Sequence, residues 1–225
     1  MRISWRILLG FKDEMDICDE CHAGLVPITG VLCLKCGRPL GKLNVNYVQD
    51  HCCSDCMRWK TSGWGEVLVN NKSFFEYNDF LKRILALYKF RGDVEVGRVF
   101  SSKFQKELKK AYRNMDMVIP IPSSGERLYE RGFNQCHVWI EGTKYDQQHF
   151  LRRIKHEEKQ SKKSRNKRVN RTEEMFDVSS HIDMKGGKVL LIDDLYTTGA
   201  TIHYAAKALK LSGASEVYSL TLCRG

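Results

Sequence analysis

K-V-L-L-I-D-D-L-Y-T-T-G-A-T, residues 188–201, decides the fold of this chain. Val189, Leu190, Leu191 and Ile192 form an unbroken apolar run of β-favouring residues, the pattern of a strand buried on both faces. The run stops at Asp193 and Asp194 and passes through Tyr196, Thr197, Thr198, Gly199, Ala200 and Thr201. Ile202, Ala205, Ala206 and Leu209 then recur at helical spacing. In open α/β sheets ligands gather beyond the carboxyl ends of the strands, and a helix N-terminus offers unpaired amides and a partial positive charge. Such a loop suits a phosphate, but two carboxylates beside it would repel one, so the acids need another partner. Sugar hydroxyls or a hydrated magnesium ion meet that need. A sugar phosphate with its diol on Asp193 and Asp194 and its ester on the T-T-G-A-T loop satisfies both halves. The plainer alternative is a solvated strand tip whose threonines cap a helix.

The chain has 225 residues, enough for one α/β domain and a small appendage, and its 42% hydrophobic content supports a core. Thirty-seven Lys and Arg against 27 acids give a net charge of +10, which points to a polyanionic partner such as nucleic acid or a nucleotide. No run approaches the roughly 18 apolar residues that would cross a bilayer, so no membrane insertion is expected. Residues 3–11 are too short, and too interrupted by Arg6, for a signal peptide, and a cytoplasmic location follows.

Seven of the nine cysteines lie between Cys18 and Cys56. In an intracellular chain this crowding argues for thiolate metal ligands rather than disulfides. C-D-E-C at Cys18 and Cys21, C-L-K-C-G at Cys33 and Cys36, and C-C-S-D-C ending at Cys53 and Cys56 each place two thiolates for one tetrahedral zinc. Sixteen residues separate Cys36 from Cys53, a zinc-ribbon spacing that favours Cys33, Cys36, Cys53 and Cys56 as one set. Cys18 and Cys21 are then unmatched; they could instead join Cys33 and Cys36 or share a second site, and Cys52 competes with Cys53. Cys136 and Cys223 read as small apolar residues. Trp59 and Trp64 end this part, and a boundary near residue 65 divides a cysteine-rich zinc-binding module, 1–65, from a second domain, 66–225.

In the second domain, residues 67–69 and 74–77 read as short strands around a turn at Asn70 and Asn71. A helix follows with Phe80, Leu81, Ile84, Leu85 and Tyr88 on one face. It runs into Y-K-F-R-G-D, residues 88–93, and Gly92 should end it. A second helix presents Val96, Val99, Phe100, Phe104 and Leu108 inward and Lys103, Lys106, Lys109 and Lys110 outward. Residues 117–121 form a strand, closed by prolines, and S-S-G-E-R-L-Y-E-R-G-F-N-Q, residues 123–135, follows. There Ser123, Arg127 and Arg131 could hold a pyrophosphate. Residues 149–153 and 216–223 read as further strands.

From Arg152 to Arg171 ten Lys and Arg stand against Glu157 and Glu158, so this stretch carries +8 of the net charge. Its polarity suggests a mobile segment.

Residues 188–201 resemble the phosphoribosyl pyrophosphate (PRPP) signature of the type I phosphoribosyltransferases, with Tyr196 standing where an aliphatic residue is usual. The cysteine pairs with C-x-x-C-G, Y-K-F-R-G-D, I-P-I-P with R-G-F-N-Q, and the basic stretch from Gln160 precede it. In that order the five landmarks are similar to the ComF family. The family pattern carries a further C-x-x-C pair at the extreme N-terminus, absent before Cys18, which fits an unmatched Cys18 and Cys21. The resemblance implies an α/β fold, a parallel sheet flanked by helices behind a zinc-binding module. It also implies a role in DNA uptake during natural transformation beside a ComFA-type translocase ATPase. By the same resemblance Asp193 and Asp194 would hold the ribose diol, Tyr196 to Thr201 the 5-phosphate, and Arg127 or Arg131 the pyrophosphate with magnesium. Lys159, Lys162, Lys163, Arg165, Lys167 and Arg168 would clamp single-stranded DNA. No stretch reads out a particular base, so an acceptor is not identified.

Overall fold

The structure, a computed structural model, describes residues 17–90, 93–145, 150–154, 175–179, 184 and 186–225. The basic stretch with Lys159, Lys162, Lys163, Arg165, Lys167 and Arg168, and the helix stop expected at Gly92, lie outside the described residues.

The cysteine-rich part begins with α1 (Asp19–Gly24), and two short 3-10 turns, Leu40–Lys42 and Val45–Tyr47, lead to the hairpin of β1 (Val48–Gln49) and β2 (Cys52–Cys53). The hairpin turns on Asp50 and His51, φ 49° and 56°, the left-handed pair that a two-residue turn between antiparallel strands requires. It delivers Cys53 to the start of α2 (Ser54–Thr61).

β3 (Asn71–Glu76), α3 (Asp79–Phe90), α4 (Val94–Arg98), α5 (Ser101–Lys110), β4 (Met117–Pro120) and α6 (Gly125–Arg131) follow. The chain closes with β5 (Leu151–Arg153), β6 (Phe176–Val178), β7 (Lys188–Tyr196), α7 (Ala200–Leu211) and β8 (Glu216–Arg224). The main sheet has the order β3-β8-β7-β4 with every pair parallel, and β5 pairs antiparallel with β6 in a separate ribbon. Helices flank the sheet, as a phosphoribosyltransferase-like α/β fold requires.

β7 is one of the two interior strands, and Val189, Leu190, Leu191 and Ile192 are each 0% exposed. Leu190 and Ile192 face Leu81, Leu85, Phe104 and Trp139, whereas Val189 and Leu191 face Ile202, Ala205, Ala206 and Leu209. A strand covered on both faces has no need to alternate with polar residues. Each such side chain is worth about 1.5–3 kcal/mol of burial.

Three local readings are corrected. Residues 67–77 form no hairpin: β3 is one strand, parallel to β8. Asn71, taken for a turn residue, is buried, donating to Cys36 O at 3.2 Å and to Ser73 Oγ at 2.9 Å and accepting from Ser219 Oγ at 2.9 Å. Those partners outweigh its local preference for a turn. The helix expected across Val96–Leu108 is broken into α4 and α5, because Tyr88 packs onto Gly97, whose carbonyl accepts from Trp139 Nε1 at 3.0 Å. β7 does not stop at the acids but runs on to Tyr196, since Leu195 and Tyr196 still pair with Cys223 and Arg224.

Candidate functional site

Asp193 and Asp194 lie at the carboxyl end of β7 and are 8% and 5% exposed. Asp193 Oδ1 accepts from the Asp194 amide at 2.9 Å and from Cys136 Sγ at 3.7 Å. Asp194 is ion-paired with Lys89 from α3 and accepts from Gln135 Nε2 at 3.2 Å. Burial, and then the neighbouring Asp194 charge, push Asp193 up to about 7. Burial alone would lower Lys89, but the Asp194 carboxylate, by charge and hydrogen bond, carries it above the ordinary lysine value.

Neither Lys89 nor Gln135 is a residue that sequence reasoning assigned to the site. Both belonged to landmarks: Lys89 is the second residue of Y-K-F-R-G-D, and Gln135 ends R-G-F-N-Q. The structure stitches the two together, since Tyr88 OH donates to Gln135 O at 2.7 Å, and both meet the third landmark at Asp194.

Past Tyr196 the chain turns through Thr197 and Thr198, both exposed, to Gly199 at φ 84°. A Cβ there would lie 2.2 Å from Tyr196 Oη, so the turn accepts only glycine. Gly199 is the N-cap of α7 and has no side chain to cap it. The first i→i−4 bond runs from His203 N to Gly199 O, so the amides of Ala200, Thr201 and Ile202 have no intrahelical acceptor. The loop therefore has the donors and the dipole of an anion site.

Ser123 is half-buried in the loop after β4, and it is Ser124 that caps α6, accepting from Arg127 N at 3.4 Å. Arg127 is exposed. Arg131, half-buried, bonds Gln135 Oε1. Burial and the nearby Arg127 guanidinium lower its pKa, while Asp194 acts in the opposite sense. Gln135 thus stands between Arg131 and Asp194, and the arginine loop is brought to the acids.

The four thiols of Cys33, Cys36, Cys53 and Cys56 lie within 4.8 Å of one another and are buried. Cys33 and Cys56 are 3.7 Å apart and Cys36 and Cys53 3.6 Å. A zinc tetrahedron with Zn–S of about 2.3 Å has edges of about 3.8 Å, so the set fits that ion, and it could hold a metal such as zinc. The thiolate charge has donors aimed at it: Cys53 N at 3.4 Å from Cys33 Sγ and Arg224 Nη2 at 3.5 Å from Cys36 Sγ. Thiol hydrogen bonds from Cys36, Cys53 and Cys56 hold Cys33 well below the ordinary thiol range. Cys18, exposed, and Cys21 are free thiols at the start of α1, outside the four-thiol cluster.

The sequence profile of the phosphoribosyl transferase domain matches residues 95–225. The chain is 41% identical over 225 residues to the competence protein ComFC of Bacillus subtilis (strain 168), covering 99% of this chain and 90% of that one. The chain belongs to the ComF family of phosphoribosyl transferase domain proteins. It is 34% identical over 218 residues to the ComFC of Streptococcus pneumoniae (strain ATCC BAA-255 / R6), 97% of this chain and 92% of the relative. The chain is also 26% identical over 220 residues to the DNA utilization protein YhgH of Salmonella typhi, 92% of this chain and 90% of that one. Among the described residues no helix is long and apolar enough to cross a membrane.

Proposed function

We propose that this chain is a cytoplasmic competence factor that handles single-stranded DNA during uptake, beside a ComFA-type translocase ATPase, and that it carries a PRPP-type site. The observation that carries the reading is the buried acid pair, Asp193 and Asp194, placed one turn before an uncapped helix N-terminus in a chain similar over nearly its whole length to named competence proteins. Asp193 and Asp194 would take the ribose hydroxyls, with magnesium on the pyrophosphate. The amides and hydroxyls from Thr197 to Thr201 would take the 5-phosphate, and Ser123, Arg127 and Arg131 the pyrophosphate. In a phosphoribosyl transfer these groups would act electrostatically, the acids beside the cationic ribosyl centre and the arginines on the departing anion. A closed four-cysteine site has no open position for substrate, so the zinc would hold structure rather than catalyse. Lys159, Lys162, Lys163, Arg165, Lys167 and Arg168 would hold the strand through its phosphates.

The Lys89–Asp194 ion pair favours a second reading, in which the acids are structural and the zinc-bearing module acts as an adaptor. Calorimetric titration with PRPP and magnesium separates the two. Heat of binding that disappears in Asp194→Ala/Thr198→Ala supports the site, and a silent titration of the parent chain leaves the adaptor. Release of pyrophosphate with a panel of bases tests whether the site turns over. Unchanged retention of single-stranded DNA in a gel after the cations of residues 159–168 become Ala would remove the clamp.

A further inference from the structure

Trp59, at first sight only the end of the cysteine-rich part, reaches across to the anion loop. Its Nε1 donates to Thr198 O at 2.8 Å, and its ring lies flat on His203, centroids 4.1 Å apart and planes within 8°. His203 Nδ1 is 2.9 Å from Gly199 O, so that nitrogen donates to the carbonyl, and burial lowers the ring's pKa. Peptide groups here are planar and trans, so a pinned carbonyl aims the following amide the opposite way. With Thr198 O held by Trp59 and Gly199 O held by His203, the Gly199 and Ala200 N–H groups would be turned away from those two side chains, the arrangement an anion needs.

Trp59 is itself placed by the thiol cluster. It lies three residues after Cys56 on α2, an eight-residue helix whose one buried side chain is Cys56. A helix of that length has little stability of its own, so the metal would fix where the indole sits. A second path runs through Arg224, which touches Cys36 Sγ and donates to Tyr196 O at 3.0 Å, with its guanidinium over the Tyr196 ring beneath Gly199.

We infer that Trp59 is a positioning residue of the loop from Thr197 to Thr201, and that through it occupation of the four-cysteine site and of the loop are thermodynamically linked, each tightening the other. The linkage rests on the sugar-phosphate reading for its ligand, whereas the pinning of the loop does not.

The test uses the zinc-loaded full chain and Trp59→Phe, which keeps the stacked ring and loses the donor. The His203 amide, which donates to Gly199 O, should exchange about tenfold faster in the variant while zinc stays at one per chain; unchanged exchange there with zinc retained overturns the positioning role. In the parent chain, saturating PRPP with magnesium should slow zinc transfer to a chromogenic chelator fivefold or more, a coupling of ordinary size. That slowing should fall below twofold in Trp59→Phe, and equal slowing in both chains overturns the link. If Trp59→Phe sheds its zinc, His203→Ala removes the stack and the pin on Gly199 from the sheet side, and the same two readings decide. A silent PRPP titration with faster exchange in the variant strikes out the sugar-phosphate reading and upholds Trp59.

Discussion

Asp193 carries its charge at a cost, and the sign of that cost can be measured. Its carboxyl is held near 7 by burial and by Asp194, against an ordinary value of 3.8. The folded state therefore retains a proton that the unfolded chain has lost, and stability falls as pH rises between those values. Asp193→Asn removes the burden. It should raise the unfolding free energy on the order of 2 kcal/mol more at pH 8 than at pH 5. Denaturant melts at the two pH values check this, and a gain independent of pH would mean that Asp193 is not strained. Gly199 gives the opposite case. Gly199→Ala sets a methyl against the Tyr196 ring at φ 84°, which should cost about 1–3 kcal/mol. Under the proposed sugar-phosphate reading it should also weaken PRPP binding at least tenfold, read by calorimetry. These two positions were legible in the sequence because acids, glycine and hydroxyls are contiguous and their chemistry is local. Lys89 and Gln135 were not, because a charge is assigned to a partner only once two distant elements have been brought together.

Helix α3 illustrates that limit. Its apolar face was readable from Phe80, Leu81, Ile84, Leu85 and Tyr88, but the lysine one residue past that face was not. Its target, Asp194, is more than 100 residues further along the chain. β3 and the break between α4 and α5 failed for a related reason: Asn71 and Gly97 each gain partners from other elements that no local propensity contains. The ion pair between α3 and β7 can be weighed directly. Asp194 is buried while Lys89 is half-buried, so Lys89→Ala strands a carboxylate that some water can reach and should destabilise the chain by about 1–3 kcal/mol. Asp194→Ala added to it should recover part of that loss. A double-mutant cycle by urea unfolding gives the coupling, and strict additivity would show that Lys89 and Asp194 do not interact in solution.

The cysteine-rich part and the sheet share one interior. Cys33, Cys36, Cys53 and Cys56 belong to the same buried cluster as Leu191, Val217, Tyr196 and Ala206. Glu76 N donates to Val26 O at 2.8 Å and Ile28 N to Phe74 O at 3.1 Å, so the chain ahead of Cys33 lies along the open edge of β3 and covers it. Asn71 holds Cys36 O, and Arg38 reaches both Asp55 at 2.9 Å and Gly225 O at 3.4 Å. Arg224, 4% exposed, donates to Tyr196 O at the end of β7 and stands beside Cys36 Sγ, so the thiol cluster and the sheet are tied by one buried cation. A metal on the four thiols would therefore be a support that the sheet also uses, and the damage from its loss should not stop at residue 65. If the proposed zinc is bound there, stripping it with a chelator, or Cys36→Ser, should lower the melting temperature of the whole chain by 10 °C or more in one cooperative transition. Sheet signal in the far ultraviolet and tryptophan fluorescence from Trp59 and Trp64 should be lost together. A sheet that melts at its original temperature after the metal has gone would mean that the two parts fold independently.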